Sequence, residues 1–332
     1  MDWLRALAII VVVGVHTASK ILNNSTPDEW VWHYANAIDS ALRWCVPVFF
    51  MLSGALLLTR RKGESTPLFL KKRVSKVLIP LLFWSAIYLG YNKWELEESY
   101  TIKEMFILFL TDDIYYHLWF LYVILGLYLM APFLKILVDH MSKATFQIFL
   151  GFWVVFSVLM PLVPKFLEFE PAFSAGLFEP YIGYFLLGAY LVLYPIPKKW
   201  LPALGILAVA GYITTVWGTA ALTEARGELD EFFYEHYRPN NVLITLFLFA
   251  GFQALEPKLR PNPIITRISM ATLGIYVLHP LVQTYLNKWF GINETMFNPL
   301  LAVPIVWILI FILSLGIVTG LQRIPYANKV IP

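Results

Sequence analysis

Charge is what this sequence has least of. Asp, Glu, Lys and Arg make up 14% of its 332 residues, against about 25% in a soluble domain. Apolar residues reach 59%, so an ordinary soluble enzyme is excluded. Cysteine is nearly absent. The single Cys45 rules out an internal disulfide and a cysteine-based metal cluster, and reads as a small apolar packing residue. No glycine-rich phosphate loop is present, which argues against an ordinary nucleotide fold. There is no Gly-x-Ser-x-Gly elbow and no His/Glu cluster with metal-ligand spacing, so no metal is expected. No nucleic-acid partner is expected either. No cleavable signal peptide is expected, because the first apolar run starts at once and carries Arg5 within it.

What fills the chain is hydrophobic segments. The rule of about 20 apolar residues per membrane helix predicts an all-α polytopic protein with ten spans. They lie near 3–19, 41–58, 77–92, 117–137, 145–163, 178–195, 201–220, 240–256, 269–288 and 298–320. They spread over the whole length, so one membrane domain is expected over residues 1–325, with a short tail at 326–332. The segment from Ile102 to Leu110 is apolar but too short to span, and fits an interfacial or re-entrant element.

Charge asymmetry orients this topology. With the N-terminus in the cytoplasm, the inner side collects 17 of the 25 basic residues and only four of the 22 acids. The positive-inside rule then places both termini in the cytoplasm. The densest basic stretch joins the second and third spans: Arg60-Arg61-Lys62, then Lys71-Lys72-Arg73 and Lys76, closing on Pro80. Seven cations within 17 residues suit a ligand carrying several phosphates. They equally suit a topology determinant lying on anionic lipid.

Ionisable residues inside the spans are few, and such residues tend to mark function. Arg5 and His16 share the first span. Eleven residues is close to three helical turns, so both fall on one face, roughly 16 Å apart. Arg5 can also be read as a snorkelling cation. Arg43 on the second span and His16 are expected in one layer near the outer side, with Asp39 and Ser40 just beyond. Arg43 can pair with Asp39, one turn away. His279 precedes Pro280 on the ninth span, where it can bond the carbonyl that proline frees. His117, beside Trp119 at the outer mouth of the fourth span, also fits an interfacial aromatic belt. Asp112 and Asp113 lie close by. Ser53-Gly54 permits close helix packing. Cys45 aside, His33, His140 and His236 fall in loops and suggest nothing specific.

These residues together carry a resemblance. Asp2-Trp3-Leu4-Arg5 followed by ten residues and His16 is similar to the Arg-x10-His signature of the acyltransferase-3 family of integral membrane acyltransferases. Val46-Pro47-Val48-Phe49-Phe50-Met51-Leu52-Ser53-Gly54, the basic stretch Lys72-Arg73 to Pro80, Tyr116-His117-Leu118-Trp119-Phe120-Leu121-Tyr122, and Gly274-Ile275-Tyr276 with His279 follow in the family's order. The likeness covers roughly residues 1–325. Pro47 stands where many members have Asp, and Lys76 where Arg is frequent. Within the family, the Ser40 to Gly54 stretch and the Tyr-His-Leu-Trp run most resemble the subgroup that O-acetylates enterobacterial common antigen.

The resemblance implies acetyl-CoA as acyl donor and co-substrate, and as acceptor a hydroxyl of a glycan or a lipid-linked sugar, in a bacterial inner membrane. From depth and charge, His16 is expected to act as general base or to carry the acyl group transiently, with Arg43, Asp39 and His279 in catalytic roles. Arg5, Lys72, Arg73 and Lys76 would bind the donor, and His117, Tyr122 and Tyr276 the acceptor. A different class stays open, since ten helices with buried polar residues also describe a secondary transporter of an acyl group or small solute. A third is a membrane module that recruits polysaccharide-assembly partners.

Overall fold

The computed structural model describes residues 1–60, 65–167, 169, 171 and 180–331. Arg61, Lys62 and Glu64 of the basic loop, and the first residues of the expected sixth span, lie outside the described residues. Among the described residues there are helices and no strands. In chain order they are α1 (Asp2–Leu22), α2 (Trp30–Leu42), α3 (Cys45–Leu58), α4 (Thr66–Glu95), α5 (Ile102–Thr111), α6 (Trp119–His140) and α7 (Lys143–Trp153). Then come α8 (Leu162–Leu167), α9 (Pro180–Leu193), α10 (Leu201–Arg226), α11 (Pro239–Leu255), α12 (Pro263–Met270), α13 (Thr272–Phe290) and α14 (Pro299–Leu321).

Among the described residues, seven helical spans are long and apolar enough to cross a membrane, and α12 with α13, bent by 70°, makes an eighth. Within the described residues, the expected ten segments fall on helices. The count of ten rests on α9 and α11, which at 14 and 17 residues fall short of a full crossing by length alone. The second span differs from expectation, because it starts at Trp30 rather than near residue 41. It is broken at Arg43–Trp44, between α2 and α3. Pro47 is the physical cause, since it has no N–H to bond the Arg43 carbonyl four residues back.

Local chemistry sets the other helix ends. Thr101 and Glu104 form a reciprocal cap on α5, and Asn262 and Asn298 cap α12 and α14. α10 and α13 end on Gly227 and Gly291 at positive φ. Helices pack here by close approach of small residues. A Cβ on Gly54 would lie 1.7 Å from the Phe185 carbonyl oxygen, and one on Gly188 2.0 Å from that of Met51. The expected packing role of Gly54 is thus met by reciprocal backbone contact between α3 and α9.

Both chain ends lie at one end of the bundle. The Met1 ammonium pairs with Glu256, and the Trp3 indole donates to the Arg260 carbonyl at 3.2 Å. Near the C-terminus, Ile331 is buried, and the Val330 carbonyl accepts from the Trp84 indole at 3.0 Å. This is also where the basic first half of α4 stands, so it is the basic end.

Candidate active site

At the basic end, α1 and α12 meet through polar contacts. An Arg5 Nη1 donates to Ser269 Oγ at 3.2 Å, and Ser269 in turn donates to Asp2 at 2.9 Å. His16 lies eleven residues beyond Arg5, and His279 ten beyond Ser269. Across the bend from α12 into α13 the two imidazoles meet, with ring centres 5.0 Å apart. His117, from the turn before α6, closes the group, 5.9 Å from His279. Three segments far apart in sequence thus place three histidines together. Among the described residues, no set of three His, Cys, Asp or Glu side chains is arranged to hold a metal ion.

His279 is fixed as the sequence suggests. Pro280 cannot bond the Tyr276 carbonyl, and His279 Nδ1 lies 2.8 Å from that oxygen and 3.1 Å from the Ile275 oxygen. Carbonyls only accept, so Nδ1 carries the proton and a neutral ring keeps its lone pair on Nε2. That Nε2 is buried without a partner. Tyr276 donates its hydroxyl to the His117 carbonyl. Tyr88 donates to the Val277 carbonyl at 2.8 Å and packs edge-on to the His117 ring. His16 itself is half-buried.

Below this group a cavity of about 300 Å³ opens at the basic end. Arg5, Arg60, Arg73 and Lys76 stand on its wall, with Ser269 and Thr272. Farther in it is apolar, lined by Val46, Phe49, Phe120 and Ile124, and it includes Tyr276. Tyr276 therefore faces the cavity and carries the carbonyl of His117 on its hydroxyl. Arg73 Nε is buried there with no hydrogen-bond partner. A cationic mouth with a spare guanidinium donor and an apolar interior fits a long phosphate-bearing thioester.

The remaining expected site residues are placed elsewhere. Lys72 is exposed and is not on the cavity wall. Arg43 bonds the fully buried Asp39 and lies 4.0 Å over the Tyr234 ring. Around this pair, Tyr234 donates to Asn36 Oδ1 at 2.6 Å, and Ser40 to the same oxygen at 3.1 Å. Tyr122 donates to the Phe109 carbonyl at 2.7 Å, tying α5 to α6.

Four residues were not singled out by sequence. Arg60 was one cation of a crowded run, and only the cavity separates it from its neighbours. Tyr116 belongs to the Tyr-His-Leu-Trp run, and its ring lies 5.2 Å from that of His16. Gln283 bridges Glu294 Oε1 at 2.6 Å and the His16 carbonyl at 3.4 Å. His236, placed in a loop, stacks on Trp119 with ring centres 5.6 Å apart. Desolvation in that aromatic setting pushes His236 down to about 3, and the Arg43 charge acts the same way.

The family model described as an acyltransferase domain, acyltransferase-3, matches residues 1–322. No curated protein and no solved structure matches the chain.

Proposed function

Because the chain belongs to the acyltransferase-3 family and is a membrane acyltransferase, we propose that it is an O-acetyltransferase. It would take acetyl from cytoplasmic acetyl-CoA and pass it to a hydroxyl of a cell-surface polysaccharide or its lipid-linked precursor. The observation that carries this reading is the cavity whose cationic mouth leads through apolar walls to Tyr276, directly beside the histidine group.

In this reading Arg5, Arg60, Arg73 and Lys76 hold the phosphates of the donor, and the apolar wall takes its pantetheine arm. Lys72 adds to the positive field without lining the site. His16 is the general base. It takes the proton of the acceptor hydroxyl as that oxygen attacks the thioester carbonyl. His279, packed against His16 with ring centres 5.0 Å apart, holds the orientation of the His16 ring. The proton held by His16 then goes to the departing CoA sulfur as the tetrahedral oxyanion collapses to ester and thiol. Arg43, committed to Asp39, supports the developing negative charge through the field rather than by contact. His117 and Tyr276 position the reactants between donor cavity and acceptor. Tyr122 holds the α5 turn that frames the acceptor side.

The basic end faces the cytoplasm of a bacterial inner membrane, as the basic-residue asymmetry supports. Within the family, the likeness of Ser40 to Gly54 and of Tyr116-His117-Leu118-Trp119 to the enterobacterial common antigen subgroup supports a glycan acceptor. The transporter reading is not favoured, since the family model is that of an acyltransferase.

Purified protein in nanodiscs with radiolabelled acetyl-CoA tests the proposal. Thioester loss with label on a membrane glycan fraction is expected. His16→Ala should bind acetyl-CoA and transfer nothing. Uptake of label into vesicles without thioester loss would replace this reading by transport.

A further inference from the structure

Tyr116 is the part of the histidine group that the reaction above leaves unused. It lies in the turn leading into α6, away from the basic cavity. Its ring touches that of His16, yet the residue is 55% exposed. The neighbouring Tyr88 and Tyr276 are buried, as tyrosines used in packing are. Tyr115, stacked on Tyr88 with centres 4.2 Å apart, backs the Tyr116 ring at 4.9 Å. An aromatic ring held from behind, open in front and set against a half-buried imidazole forms one wall of an approach to that imidazole. Another side of His16 carries a different chemistry. Gln283 and Glu294, both buried, bond each other, and the Gln283 amide reaches the His16 carbonyl.

We propose that this is the acceptor subsite, with Tyr116 as its positioning platform. A pyranose ring of the acceptor lies on the open face of Tyr116, one hydroxyl turned to His16 and its neighbours to the Gln283–Glu294 pair. The inference rests on the O-acetyltransferase reading and adds the side of approach, opposite to the donor, and the shape of the acceptor. A sugar matches both walls, because its C–H face packs on an aromatic ring while its hydroxyl rim meets an amide and a carboxylate. A hydrocarbon alcohol would leave the Gln283–Glu294 pair unused. A phosphorylated headgroup at this position would face the Glu294 carboxylate.

The test uses full-length protein in nanodiscs, labelled acetyl-CoA, and three acceptor probes: octyl β-glucoside, octyl N-acetyl-β-glucosaminide and 1-decanol. At least one glycoside should be acetylated well ahead of decanol. Tyr116→Ala should raise KM for that glycoside about five- to tenfold, the loss of one stacked ring, with KM for acetyl-CoA unmoved. Tyr116→Phe and Tyr116→Trp should restore the glycoside KM, which a general loss of fold in the alanine variant would not mimic. A glycoside KM within twofold of wild type in Tyr116→Ala, or Phe and Trp variants as impaired as Ala, overturns the platform. Decanol acetylated as fast as the glycosides overturns the sugar subsite alone. Wild-type protein that consumes no acetyl-CoA overturns the O-acetyltransferase reading beneath it.

Discussion

Arg73 gives the sharpest quantitative test of the donor cavity. Its neighbour Arg5 already has Ser269 at 3.2 Å and Asp2 at 3.6 Å. Arg73 Nε is buried on the cavity side of α4 with no partner. A hydrogen bond from a charged donor to a ligand phosphate contributes about 1.5–3 kcal/mol. Arg73→Gln, which keeps most of the side-chain length and removes the charge, should therefore weaken acetyl-CoA binding by about 10- to 150-fold. Isothermal titration in nanodiscs measures this directly. S-acetylpantetheine, which lacks the nucleotide, supplies the control, since it should bind wild type and variant alike. Salt gives a second control. Raising ionic strength from about 0.1 to 1 M shortens the screening length from about 10 to 3 Å, so wild-type affinity should fall more steeply than that of the variant. An acetyl-CoA Kd within twofold of wild type would refute the reasoning. So would an equal loss for S-acetylpantetheine, because the residue would then be shaping the cavity rather than binding phosphate.

Other outcomes follow from single contacts. Gly54→Val should lower stability by about 3 kcal/mol through overpacking, because its Cβ meets the Phe185 backbone. Gly126→Ala, whose Cβ meets nothing within 4 Å, should leave the melting midpoint in detergent near wild type or above. Asp39→Asn should cost about 3 kcal/mol, because it strands the largely buried Arg43 guanidinium. The double variant Asp39→Asn/Arg43→Gln should recover part of that midpoint. Asp112 is raised to about 7 by burial and by the Asp113 charge. The folded state thus holds this proton more tightly than the unfolded chain, so stability falls as pH rises from about 4 through about 7. Asp112→Asn, which tolerates the left-handed backbone at this position, should raise the midpoint at pH 8 and leave it unchanged at pH 4.

The sequence by itself determined the membrane class, the ten apolar segments and the shared face of Arg5 and His16. It did so because hydropathy and helical period are local properties, written over 20 residues at a time. The Pro280 argument also worked locally, since a missing N–H and the imidazole that answers it are adjacent in the chain. The second span was misjudged at its start because Asn36, Asp39 and Ser40 interrupt the apolar run. Asn36 is buried through bonds to Tyr234 and the Val216 carbonyl, partners nearly 200 residues away, while Ser40 bonds Asn36 and Asp39 pairs with Arg43. Only the tertiary structure decided which helix faces meet. It set His16, His117 and His279 in one group, chose Arg60 over Lys72 for the cavity wall, and left Tyr116 open beside His16. A span's sequence sets what lies at each depth. Its neighbours around the bundle are set by packing, here by contacts such as Gly54 and Gly188 against opposing backbones, which no single segment records.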